Sequence, residues 1–321
     1  QGVIDLNTPT DIRKSIREVP VVIQDRSFNS DGSLFYPANR AFFEGLGTGL
    51  VFGTPGNVGA GLLVPFIPDP ASDIAPTWNP ETFFNTMVVN GTTWPRFEVA
   101  PALYRFRLLN GCNSRFLWLK FNDPSVKVWQ IGAEQGFLPA PILMNKFNLD
   151  QSGDGTGQVL MALAERADVI VDFRGLADGT EIELLNIGPD EPFGGGLPGE
   201  DFHPADSGTT GKVMKFGVNS ALLVARDSLT TPPDQLVLRA EPALGALTGP
   251  SRNISLNEDV SSLICATVDS SDNIVAVPDS LPPACSKGGE PFGPKAALLG
   301  IVDNPGPGAT GVGLRFDDTS G

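Results

Sequence analysis

Short apolar runs separated by turn-forming residues recur along almost the whole chain, at the spacing of roughly ten residues that is typical of β-sandwich strands. The 37 glycines and 29 prolines supply the turns between the runs. No segment shows a sustained apolar stripe with the helical period of about 3.6 residues. The pattern predicts an all-β chain that folds as a β-sandwich or barrel.

One run illustrates the alternation that predicts a strand. Tyr104, Phe106 and Leu108 alternate with Arg105 and Arg107. This period of two predicts a half-buried strand with the aromatic residues on one face and both arginines on the other. Similar runs predict strands at 19–26, 85–89, 97–99, 116–121, 126–131, 159–163, 169–173, 182–185, 213–216, 253–257 and 294–300.

The distribution of these strands suggests how the chain is divided. Residues 1–18 are predicted to be a linker or approach segment, and 19–217 a domain that contains a long Gly- and Pro-rich loop at 37–80. Residues 218–250 are polar and Pro-bearing, as expected of an interdomain connection. Residues 251–321 contain too few predicted strands for a separate sandwich, so we expect an incomplete second domain there.

The charge of the chain excludes some partners. The formal net charge is −15 and the sequence pI is about 4.4, so the surface would repel a phosphate backbone and nucleic-acid binding is disfavoured.

No apolar run reaches the roughly 18 residues of a membrane span. We expect an extracellular or periplasmic protein. Two Asn-x-Ser/Thr sequons begin at Asn90 and Asn253.

Histidine is nearly absent, which limits metal chemistry. The chain has one histidine, His203, in the loop 199–204. An electron-transfer copper site needs two imidazoles and a thiolate, and zinc sites draw on the same ligands. A Ser-His-Asp set is not readable either. The sequence therefore predicts no catalytic residues and no metal or cofactor ligands of these types, with His203 an ordinary loop residue.

One stretch matches half of a calcium-loop pattern. Asp150, Ser152 and Asp154 occupy the first, third and fifth ligand positions, and a glycine follows at position six. The closing glutamate of the pattern is replaced by Met161. A polar hairpin tip is the favoured interpretation, with a calcium site as the alternative.

The chain has three cysteines. Cys265 and Cys285 flank a polar loop, and both a disulfide and two free thiols are compatible with this spacing. A disulfide closing such a loop would stabilise the fold by roughly 3 kcal/mol. Cys112 follows an apolar strand and is predicted to be a small buried residue.

Several long strings resemble the middle cupredoxin domain of bacterial multicopper oxidases, with the bilirubin-oxidase and spore-coat-laccase branch most similar. These strings are 21–28, 31–36, 87–95, 104–110, 113–116, 130–132 and 164–173. Residues 253–258 and 293–300 resemble the entry into the third domain of the same enzymes. Some laccases of that branch have a disulfide beside the substrate pocket, and here Thr82–Asn85 lacks the corresponding cysteine.

The resemblance implies Greek-key connections between the strands of the sandwich, and a parent enzyme of three domains. That enzyme would take single electrons from phenols, pyrroles or metal ions at a type 1 copper and reduce O₂ to water at a trinuclear copper cluster. In such enzymes the copper ligands lie in the first and third domains. The present chain would then be a copper-free segment that scaffolds the missing first and third copper-bearing domains. The alternative is a stand-alone, non-catalytic cupredoxin-like scaffold or binding module.

Overall fold

The computed structural model describes residues 17–36, 82–134, 136–144 and 158–239, and beyond these a set of shorter stretches, chiefly 254–260, 265–268, 274–282, 284–291, 295–301 and 312–314. The predicted loop 37–80 and Asn253 lie outside the described residues. The described part divides into two compact units, the first containing residues up to Phe35 and from 83 to 243. Within the described ranges, no helix has the length and apolar character needed to cross a bilayer.

The first unit is built from two β-sheets. The larger sheet has the order β4-β3-β1-β6-β11-β8-β9, with β2 also paired to β1, and the smaller has the order β10-β7-β12-β13-β5. The strands are β1 (Arg17–Phe28), β2 (Leu34–Phe35), β3 (Thr86–Val89), β4 (Thr92–Thr93), β5 (Arg96–Val99), β6 (Leu103–Asn110), β7 (Leu117–Phe121), β8 (Lys127–Ala133), β9 (Gly136–Leu143), β10 (Gln158–Met161), β11 (Arg166–Asp172), β12 (Glu181–Asn186) and β13 (Lys212–Val218).

Two parallel pairs interrupt the otherwise antiparallel pairing. β1 runs parallel to β6, from the pair Arg17–Tyr104 to the pair Ile23–Asn110, and β13 runs parallel to β5. Strands that are distant in sequence are thus neighbours, as in a Greek-key arrangement. The predicted all-β sandwich is confirmed. Arg17 and Glu18, which the sequence analysis assigned to the approach segment, are instead the first residues of β1, because β1 pairs with the start of β6.

The core lies between the two sheets. Tyr104, Phe106 and Leu108 point into it, as predicted, and are almost fully buried. The rings of Phe106, Phe173 and Phe216 lie 5.3–6.4 Å apart between centroids, in tilted and edge-to-face arrangements. Such pairs stabilise a core beyond the area that they bury.

The opposite face of β6 differs from the prediction at one position. Arg107 is exposed, as a half-buried strand requires, but Arg105 is only 7% exposed. The ring of Phe137 lies 5.7 Å from its guanidinium carbon, and carboxylates flank it. The outer face of the sheet is covered at this point, because the Phe137 side chain of β9 and two leucines after β13, Leu236 and Leu238, pack there.

The Asn90–Gly91 turn forms the predicted tight hairpin between β3 and β4. Both turn residues have positive φ, 49° and 82°, as a two-residue hairpin of this kind requires. The Asn90 side chain also binds the neighbouring strand. Its Nδ2 donates to the carbonyl of Pro20 at 2.9 Å, and its Oδ1 accepts from the N–H of Val22 at 2.9 Å. The turn is therefore fastened to β1.

The sequence did not predict strand β9. Pro139 and Pro141 interrupt it, and proline cannot donate to a β-ladder. Among the described residues, β9 is the last strand of its sheet and pairs with β8 alone, an edge position that accommodates both prolines.

The second unit, in the part that the structure describes, has two three-stranded sheets. One has the order β14 (Ile254–Val260), β18 (Lys295–Ile301), β19 (Val312–Leu314). The other has the order β16 (Ile274–Ala276), β15 (Cys265–Val268), β17 (Glu290–Pro291). β14 and β18 were predicted, whereas the short strands of the second sheet were missed because they lie in polar, Ser- and Pro-rich sequence.

Candidate functional site

The sequence offers few histidine and cysteine residues for a metal site. His203 is an exposed loop residue, next to the isolated bridge between Pro189 and Pro204. Among the described residues, no group of three or more His, Cys, Asp or Glu side chains is arranged to hold a metal ion. The calcium-loop candidates Asp150, Ser152 and Asp154 lie outside the described residues.

The cysteines are placed as a bonded pair and a buried thiol. Cys265 and Cys285 form a disulfide, with Cα atoms 5.8 Å apart. Cys112 is 7% exposed in the core of the first unit, with its Sγ 3.9 Å from the carbonyl of Ile23. Burial, with the nearby Asp25 carboxylate as a smaller cause, raises the pKa of the Cys112 thiol well above its usual value. A thiol of this kind is protonated at neutral pH and inert.

Three arginines organise the polar contacts of the first unit. The most deeply buried is Arg115, at 1% exposure. Its Nε lies 3.2 Å from Oδ2 of Asp25, and its other nitrogens donate to Asp190 and to the carbonyls of Phe84, at 2.7 Å, and Pro189, at 3.2 Å. Asp25 also accepts from the N–H groups of Phe84 and Asn113. The cluster joins the end of β1, the entry into β3 and the loop after β12.

Arg105 organises a second cluster, on the outer face of the large sheet. Its Nε lies 2.8 Å from Oδ1 of Asp168 on β11, and its NH1 lies 3.3 Å from Oε2 of Glu18 on β1. Arg107 approaches the same Glu18 at 2.8 Å but is half-exposed. The charged residues thus link three adjacent strands.

The third arginine, Arg17, holds the segment that follows β13. We name residues 219–238 the strap. It contains three short 3-10 helices, Ser220–Leu222, Ala225–Leu229 and Pro233–Gln235. The sequence predicted this region as part of a polar interdomain connection, but the structure shows it packed on the first unit.

The near end of the strap is fastened by the Arg17–Asp227 ion pair. Arg17 Nε and NH2 lie 3.2 and 3.0 Å from the two carboxylate oxygens of Asp227. Arg17 NH1 also donates to the hydroxyl of Tyr104 at 3.2 Å, and NH2 donates to the carbonyl of Leu222. Since the Arg17 and Asp227 side chains are 18% and 5% exposed, the pair is largely shielded from solvent.

Backbone contacts reinforce this end. The N–H of Asn219 donates to the carbonyl of Val99 at 2.7 Å, and the N–H of Ser220 donates to Oδ1 of Asp178 at 2.6 Å. Asp227 accepts a further bond from the N–H of Val224 at 2.8 Å. Burial alone would raise the pKa of Asp227, but the bonds from Arg17 and Val224 outweigh it and lower that pKa below its usual value.

The far end of the strap is held by apolar contacts. Leu236 and Leu238 pack against a small buried cluster of Leu103, Ile131 and Ile170 on the outer face of the large sheet. Each of those three cluster residues is at most 1% exposed. The strap is therefore fixed at both ends, by charge at one and by apolar burial at the other.

The strap also exposes apolar side chains to solvent. Val237 is 97% exposed and Leu229 is 77% exposed. Leu222, Leu223 and Val224 are exposed as well, at 37–46%. This arrangement can bind and orient another apolar surface, and nothing in it resembles catalytic machinery. The apolar run at 221–225 was the sequence signal for it.

Comparison with known proteins gives the relatives of the chain. A laccase from Bacillus stratosphericus is 32% identical over 212 residues, which cover 66% of this chain and 32% of that protein. Multicopper oxidase LPR1 from Arabidopsis thaliana is 30% identical over 218 residues, covering 68% of this chain and 28% of that protein. The chain is a homologue of the multicopper oxidases. No family model matches it.

The multicopper-oxidase-like chain spans about a third or less of the length of these curated relatives. Its first unit is a cupredoxin-like sandwich. The McoA multicopper oxidase of Aquifex aeolicus, a solved structure, aligns with a TM-score of 0.45 at 24% identity, covering 75% of this chain and 39% of that chain. The strings that carry the resemblance contain Asp25, Arg105, Arg115 and Asp168, so they specify the buried ion pairs of the sandwich.

Copper is the metal that this family implies, and the donors of this chain do not fit it. A type 1 site requires two imidazoles and a thiolate at one point, and the chain has one histidine. That histidine is exposed, and the free thiol Cys112 is buried in the sandwich core with a raised pKa. We therefore derive no chemical step through copper for these residues.

Proposed function

We propose that this chain is the copper-free middle part of a multicopper oxidase and that it holds the flanking copper-bearing domains in register. The parent would oxidise phenolic, pyrrolic or metal-ion substrates in one-electron steps and reduce O₂ to water. Copper, bound in the other domains, would supply the electron transfer. The residues of this chain would supply geometry.

The observation that carries the proposal is the strap, fastened at both ends. A flexible linker would be free of the sandwich along its whole length, whereas residues 219–238 are held on the first unit by the Arg17–Asp227 pair and by Leu236 and Leu238. A connecting segment that is fixed on the sandwich suits the scaffold role better than one that is flexible along its whole length.

The exposed apolar residues of the strap support the same role. Leu222, Leu223 and Val224 are consecutive exposed apolar residues, and Leu229 and Val237 are exposed further along the strap. Contiguous exposed apolar side chains mark interaction sites. In this proposal the flanking cupredoxin domains of the parent polypeptide bury these exposed residues. The length of the curated relatives, about three times that of the matched region, is consistent with such domains.

The location of the parent is also part of the proposal. We place it outside the cell or in the periplasm. The Cys265–Cys285 disulfide supports this, because disulfides persist in oxidising compartments.

The intact mass of the source protein tests the proposal. An antibody raised against the first unit should capture a polypeptide well above 33.9 kDa that contains copper and oxidises a phenolic dye. The isolated chain should contain no copper after loosely bound metal is removed. A captured protein of 33.9 kDa without oxidase activity would contradict the proposal and favour the stand-alone module.

A further inference from the structure

The centre of the sandwich contains a cavity of about 20 Å³ between the inner faces of the two sheets. Val21, Phe106 and Val169 line it from the larger sheet, and Leu119, Leu184 and Phe216 line it from the smaller. Every lining side chain is apolar. The most exposed of them, Met214, is 8% exposed, so every residue around the cavity is buried.

The gap has a local cause. Large, flat rings meet short β-branched side chains here, and the pairing of β11 with β8 is shifted by a bulge between Asp168 and Val169. Rings such as Phe106 and Phe216, whose centroids are 5.8 Å apart, cannot collapse onto a neighbouring valine without leaving their own contacts. The side chains that line the cavity therefore lack contacts on one side.

The chemistry of the lining decides what can fill the cavity. The cavity is large enough to admit a water-sized sphere. A buried water also needs two to four polar partners, and the lining offers none, so the cavity is dry. An apolar molecule needs no such partners and restores the missing dispersion contacts.

We propose that this cavity is a binding site for an apolar molecule of one or two heavy atoms, of the size of xenon or dioxygen. The site belongs to the sandwich itself and does not depend on the scaffold role. Binding is weak and reversible, with entry through fluctuations of the sheets, as for other dry cavities in protein interiors.

Dissolved dioxygen is a direct probe, because it is paramagnetic and increases the relaxation of nearby methyl groups. In the full chain under oxygen pressure, the methyls of Leu119 and Val169 should show an enhancement at least roughly two-fold larger than those of Ile131 and Ile170. The two isoleucines are equally buried, at 0%, but lie on the outer face of the sheet. Xenon should shift the resonances of the same lining methyls.

Filling the cavity should abolish the effect. Val169→Ile adds one methylene into the space, and Val128→Ile adds one from the adjacent strand if the first variant does not fold. The matched control, Ile170→Val on the same strand, should leave the enhancement at Leu119 unchanged. Equal enhancement at the lining and outer-face methyls, or full enhancement in a folded filled variant, would overturn the proposal.

Discussion

The two faces of strand β6 stabilise the protein by different means. Phe106 and its inward-facing neighbours sit in a dry apolar interior between the sheets. Arg105, one residue earlier, is almost equally buried on the outer face, but among carboxylates and against the ring of Phe137. The inner face holds the sandwich together, and the outer face holds what packs onto the sandwich. Burial alone therefore does not tell which of these a residue does.

The largest effect is expected on the inner face. Phe106→Ala should lower the free energy of unfolding by about 3–5 kcal/mol, because it removes a ring and leaves a cavity next to the existing one. Urea denaturation followed by tryptophan fluorescence measures this. Phe28→Ala, at a residue 43% exposed, is the control and should cost less than about 0.5 kcal/mol. Similar losses for the two variants would contradict the assignment of the core.

An outer-face change should cost less. Arg105→Met leaves Glu18 and Asp168 without their shared partner, but these carboxylates keep 11% and 19% exposure, so we expect a loss of about 1–3 kcal/mol. The neighbouring Arg107 pairs with the same Glu18 while 56% exposed, and Arg107→Met should cost less than about 1 kcal/mol. If denaturation shows equal losses of unfolding free energy for Arg105→Met and Arg107→Met, the burial of Arg105 does not strengthen its ion pairs.

The strap should respond locally. Arg17→Met removes the ion pair that fastens its near end, so amide exchange at residues 222–230 should accelerate while exchange in the sheet core changes little. The loss in global stability should be about 1 kcal/mol. Arg226→Met, an exposed position on the strap itself, is the control. If exchange in the strap is unaffected by Arg17→Met, the strap is not held by this pair.

The smallest expected effect is a pH dependence of the same contact. The folded-state pKa of Asp227 lies below its usual value, so its stabilising contribution is present above the unfolded pKa of about 3.9 and is lost as the pH falls through the folded value. The amide resonance of Val224, which donates to Asp227, should report this loss at acidic pH. In Asp227→Asn the acid transition of that resonance should be absent, and its persistence would assign it to another group.

The inner face could be predicted from sequence, whereas the outer face could not. The buried face around Phe106 can be predicted from the local sequence alone, because a period of two places one set of side chains in the core. Whether Arg105 on the other side meets solvent depends on β9 and the strap, which come from distant sequence. The prolines of β9 concealed that strand, since their tolerance depends on its edge position.

The strap was predicted as a connection for a similar reason. Its contacts with Arg17, 210 residues away in sequence, leave no local pattern. The Cys265–Cys285 pairing could be suggested but not decided by spacing. A type 1 copper site formed by this chain alone can be excluded from composition, because the chain has one histidine.

The hydrogen bonds that the Asn90 side chain makes with β1 determine whether this residue can carry a sugar. Asn90 begins a sequon, yet its Nδ2 lies 2.9 Å from the Pro20 carbonyl, in the narrow space between the hairpin turn and β1. A sugar attached to that nitrogen would have to enter the same space and separate the turn from the strand. We therefore expect the folded protein to carry no glycan at Asn90, even though the residue is at the surface.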